Sequence, residues 1–92
     1  MTLKHIIDDL TARSEQEHRL SAIDLKYGKL AEARNSFARA YTCSSLAYDI
    51  EQAEGRVARA TAWIESSIGR PGIIDDIVTE TLNKLTELEE GN

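Results

Sequence analysis

The sequence predicts an all-α fold, a long antiparallel helical hairpin flanked by two further helices and completed by oligomerisation. Three observations carry that expectation. Apolar residues recur at intervals of three and four along most of the chain, and β-branched and aromatic residues nowhere alternate with period two over a useful length. Hydroxyl residues and glycines mark where helices start and stop. The chain has 92 residues, 41% of them apolar and 5% aromatic, with a single proline. That makes one small helical domain over 1–92, which buries only about 60–65% of its unfolded surface and gains from a partner subunit.

The first helix is expected over about 3–18, where Leu3, Ile6, Ile7 and Leu10 form a stripe behind Thr2 as N-cap. Ser14-x-x-Glu17 and Ser21-x-x-Asp24 are capping-box patterns. The second of them starts the next helix, about 21–41, because the stripe Ile23, Tyr27, Leu30, Phe37 and Tyr41 follows it. Thr42 to Ser45 then reads as the cap of a third helix, about 45–68, with stripe Ala47, Ile50, Val57, Ile64 and Ile68. Gly69 and Pro71 stop it. After the Gly69–Gly72 connector, Ile74, Ile77, Val78, Leu82, Leu85 and Leu88 make a fourth helix over about 73–89. An alternative joins the first two helices from residue 3, giving three helices.

A turn at 42–45 follows from angular arithmetic. At ~100° per residue, one helix continued from Ile23 to Ile50 would put its two stripes on nearly opposite faces. Folding back at 42–45 instead pairs Tyr41 with Ala47, Phe37 with Ile50, Leu30 with Val57, Ile23 with Ile64 and Leu20 with Ile68. Arg34 and Glu54 fall at one level of this seam, so a cross-hairpin ion pair is expected there, fixing register more than adding stability. Outward snorkelling of both side chains is the competing reading.

Charge and motifs bound the function. A net charge of −5 argues against direct nucleic-acid binding and against anionic membrane surfaces, both of which need a basic field. No stretch approaches ~18 apolar residues, and the start, MTLKHIIDDL, lacks a signal-peptide run. One cysteine, Cys43, fits a reducing cytoplasm and serves as a small core filler or a partly exposed thiol. His5 with Asp8 and Asp9, and the single Glu15-x-x-His18 pair, fall short of a metal set. With no phosphate-cradling loop and no nucleophile–base pair, neither an enzyme nor a cofactor is expected.

What remains points to a non-enzymatic protein-interaction module: an inhibitor, adaptor or assembly factor, of the kind phages and plasmids encode, that occupies a partner surface. Residues 22–45 carry a local charge of +2 and residues 70–92 one of −4, which suits packing of acidic on basic helices within or between subunits. Trp63 lies off the main stripe with Arg59 and Arg56 nearby. Either it packs structurally, with Arg59 across its face, or the three anchor a protein partner. The alternative function is a homo-oligomer that holds a nucleotide-like anion in pockets built from Arg34, Tyr27, Tyr41 and Tyr48.

Overall fold

Thr2 caps the first helix, as its position predicts. In the computed structural model, which describes residues 1–91, the Thr2 hydroxyl oxygen accepts the His5 backbone N–H at 3.3 Å and His5 Nδ1 accepts the Thr2 N–H at 3.0 Å. This reciprocal box satisfies donors that a helix start leaves open. Helix α1 runs from Leu3 to Lys26 without a break at Ser21. Ser14 and Ser21 are buried in its interior and cap nothing; their hydroxyls donate to carbonyls of the next helix.

The chain reverses at Tyr27–Lys29. Gly28 takes φ +75°, its N–H donates to the Leu25 carbonyl at 3.1 Å, and the Lys29 N–H reaches the Asp24 carbonyl at 2.8 Å. That pair of bonds is a Schellman stop, which needs a left-handed residue after the cap. Gly28→Ala is therefore expected to cost about 1–2 kcal/mol, read as a lowered urea midpoint with an unchanged slope.

Helix α2 spans Leu30–Gln52 and passes unbroken through Thr42–Ser45. The two longest helices do form an antiparallel hairpin, but its turn lies at 27–29 and not at 42–45. The expected pairings of Phe37 with Ile50, Leu30 with Val57 and the rest are replaced by pairs whose numbers sum to about 54. The Arg34–Glu54 ion pair goes with them, since Arg34 lies near the start of α2 and Glu54 follows its end, roughly 30 Å away at 1.5 Å per residue. The hydroxyls at 42–45 explain why no cap forms there. Thr42 Oγ1 donates to the Ala38 carbonyl at 2.8 Å and Ser44 Oγ to the Tyr41 carbonyl at 3.1 Å, so both bond back into the helix.

The seam between α1 and α2 is built from small side chains. Ser14, Ser21, Ala33, Ser36 and Ala40 are all buried at the 3–4 spacing of facing helices. Ser14 Oγ donates to the Ala40 carbonyl and Ser21 Oγ to the Ala33 carbonyl, each at 3.0 Å. A side chain one bond long reaching the opposite backbone means the helices approach closely. Arg39 Nε and Glu17 Oε2 pair at 3.0 Å across the same seam.

Helices α3 (Val57–Glu65) and α4 (Asp75–Glu90) cover the open end of this hairpin. The expected helix over 45–68 is divided at 53–56, where Glu54 takes φ +53° and Gly55 φ +81°. α3 ends before Pro71, as its stop signals require, and α4 starts two residues later than expected. Ile6 and Leu10 of α1, Leu46 and Ile50 of α2, Ala60 and Ile64 of α3, and Ile77, Val78 and Leu85 of α4 form one apolar core. Thr42 fastens the connector onto α2: its buried Oγ1 accepts the Ile74 N–H at 3.0 Å. Asp75 Oδ1 accepts the Gly69 N–H at 3.2 Å, and Arg13 joins α1 to Glu80 of α4 at 3.1 Å. The described residues measure 47 × 24 × 19 Å, because the hairpin's closed end projects beyond the four-helix core.

Candidate functional site

Helix α2 carries its large apolar side chains on the outside, from the projecting end of the hairpin to its core-covered half. Leu30, Arg34, Phe37, Tyr41 and Tyr48 follow one another at three, four and seven residues, so they share one face of α2, about 60–120° from the small-residue seam. The apolar members of this stripe, with Leu25 of α1 beside them, are between 48% and 61% exposed. A seam of serine and alanine draws the helices together but covers nothing large. Phe37 is held at its edge by His18 of α1, whose ring meets it edge-on at 5.7 Å between centroids. A shallow groove of about 250 Å³ runs over this tip, lined by Ser21, Leu25, Leu30, Ala33, Arg34 and Phe37.

Arg34, Tyr41 and Tyr48 therefore lie on one face, while Tyr27 sits in the turn, 71% exposed. They do not converge. Arg34 to Tyr48 covers about 21 Å of helix, with Tyr27 further off in the turn, so one chain does not gather the four into an anion pocket. Sequence reasoning read Ile23, Tyr27, Leu30, Phe37 and Tyr41 as a buried stripe; in the chain's own fold all five are exposed. The available signal was Gly28, whose freedom to turn left-handed places a hairpin bend inside that stripe.

Trp63 stands half-buried on α3, and the Arg59 guanidinium carbon lies 5.0 Å from its ring centroid, the cation–π arrangement. Arg56 is exposed at the N-cap of the same helix. Ala60 is buried between exposed Ala58 and Ala62, so the small flank does serve close packing on one side.

Among the described residues, no three His, Cys, Asp or Glu side chains come together as a metal-binding group, and no helix is long and apolar enough to cross a membrane. Cys43 is fully buried in the core, and that burial pushes its thiol above the ordinary 9.0, opposed by Arg13. A thiol held neutral in the folded state favours folding below 9.0 and loses that contribution as pH rises through its folded value. The expected result is no reaction with a disulfide reagent at pH 8 while folded, and one equivalent after denaturation; Cys43→Ala should flatten the decline in stability above pH 9. Asp49 is likewise raised by burial, with Arg70 pulling the other way.

Comparison with protein-family models, with curated proteins and with solved structures finds no match to this chain.

Proposed function

We propose that the protein is a non-enzymatic interaction module that works by docking a protein surface. The observation that supports this is the α2 face: three aromatic side chains and Leu30, with Leu25 of α1 beside them, each about half exposed. Monomeric proteins rarely leave apolar side chains of this size exposed together along one helix face, and contiguous patches of this kind mark interaction sites. Trp63 with Arg59 and Arg56 forms the second contact, on α3. Tryptophan beside arginine supplies large contact area at low entropy cost, with charge for specificity.

The test places a photo-activatable phenylalanine analogue at Phe37, at Trp63 and, as control, at exposed Thr79 of α4. Irradiation in the native host is expected to give discrete protein adducts from positions 37 and 63 and none from 79. Adducts from 37 and 63 no more frequent than from 79 would refute the docking role.

A further inference from the structure

We infer that the α2 face pairs with the same face of a second copy of this chain, the two α2 helices lying antiparallel about a two-fold axis near Phe37–Tyr41. This rests on the docking role and names the occupant of that face. The stripe is self-complementary under reversal. With α2 opposite itself, Phe37 meets Tyr41 of the second copy and Leu30 meets Tyr48, while Arg34 falls opposite Ser44, so every large apolar member finds another. A closed isologous contact requires this property of a single patch.

Charge favours the same orientation. The hairpin's closed end is basic on this side, with exposed Lys26, Lys29 and Arg34 around Leu25 and Leu30. Toward the open end acidic side chains prevail, with exposed Arg70 beside Tyr48 and Asp49 as the basic exception. The His18–Phe37 contact identifies the α1 side that shares this face, and its stripe carries exposed Asp8 and Glu15 (with Lys4 near the start), while Glu51 continues the α2 stripe beyond Tyr48. Antiparallel pairing sets the basic closed end of each copy against the α2 end of the other that carries Glu51, bringing Glu51 near Lys29. Parallel pairing would stack Lys29 on Lys29 and Glu51 on Glu51, which costs affinity.

The area suffices. A half-exposed aromatic side chain leaves roughly 100 Å² to cover. Three of them with Leu25 and Leu30 bring on the order of 500 Å² of apolar surface per copy, the apolar share of a standard interface of about 800 Å² per partner. The product is a four-helix layer in which the small-residue seams stay internal to each hairpin. Trp63, on α3, remains outside the α2 contact.

Sedimentation equilibrium between about 1 and 100 μM tests this. Wild type is expected to approach twice 10.3 kDa. Phe37→Glu and Tyr41→Glu, both at exposed positions, should run at monomer mass with unchanged helical circular dichroism, a weakening of at least ~100-fold because each change enters the contact twice. Glu51→Lys should weaken association by roughly five-fold at low salt, and Lys29→Glu added to it should restore the wild-type constant. A mass of 10.3 kDa at every wild-type concentration, or a dimer that survives Phe37→Glu, overturns the proposal. A parallel arrangement is the outcome if Glu51→Lys alone leaves association unchanged, since one like-charge pair then replaces another, and it too overturns the proposal; so does failure of Lys29→Glu to restore association. Failure here is separable from failure of the docking role. An adduct at position 37 of some mass other than twice the chain would retain docking and remove self-pairing.

Discussion

Ala40→Leu is expected to lower the stability of the protein by about 2–3 kcal/mol and its melting temperature by on the order of 10 °C. Ala40 is fully buried, and its own carbonyl accepts the Ser14 hydroxyl at 3.0 Å from the facing helix. Three extra carbons at that point have no void to enter. Either α1 and α2 separate, breaking the Ser14 bond and exposing Ser36 and Ala33, or the leucine takes a strained rotamer. With a turn at 42–45, Ala40 would lie ~100° from the Tyr41 direction, on the outside, and the same substitution would be nearly neutral. Urea unfolding of this one variant therefore decides between the two registers. Ala40→Gly gives a second reading: it costs about 1 kcal/mol in helix propensity alone, so a much larger loss from the leucine isolates the packing effect.

Leu46→Ala should cost about 3 kcal/mol, within the usual range for a leucine removed from a core. Leu46 has no exposed surface and sits where α2 meets the covering helices, in the cluster with Ile50, Ile64 and Val78. Truncation leaves a cavity between elements held in place by other contacts, Thr42 to Ile74 among them, so collapse is incomplete. Leu30→Ala supplies the contrast. At 60% exposure it removes little from the monomer, less than about 0.5 kcal/mol at low concentration. Under the proposed pairing its cost should grow with protein concentration, because a second copy would bury the side chain. A calorimetric melt at two concentrations separates the two leucines.

Some helix ends were legible in the sequence because they depend on local chemistry, although the caps expected at Ser14, Ser21 and 42–45 do not form. Thr2 begins α1 because its hydroxyl suits the N-cap, Pro71 forbids continuation of helix, and Asp75 and Asp76 favour the positive end of α4. The α4 stripe was legible because Ile77, Val78 and Leu85 are large and buried. The hairpin register was not, and the reason lies in side-chain size. Counting large apolar residues selects Ile23, Tyr27, Leu30, Phe37 and Tyr41, whereas the helices meet through Ser14, Ser21, Ala33, Ser36 and Ala40, which carry almost no hydrophobic signal. Serine in particular reads as a cap in sequence and acts here as a buried donor to the opposite backbone. The two readings differ by a single residue, Gly28, whose left-handed conformation ends α1. At the candidate site, the sequence showed that Leu30, Phe37 and Tyr41 share one helix face, but the expectation that this face is buried in the hairpin does not hold. Their placement outside the chain's own core follows from the register and was not readable before it.

Oxidative footprinting across a concentration series tests the proposed pairing of the α2 face with a second copy most directly, with Trp63 as the internal reference. Docking of that face on a second copy predicts that labelling of Phe37, Tyr41 and Tyr48 falls together as concentration rises from about 1 to 100 μM, while Trp63, outside the contact, keeps a constant rate. Constant labelling of all four residues, or protection confined to Trp63, would contradict it.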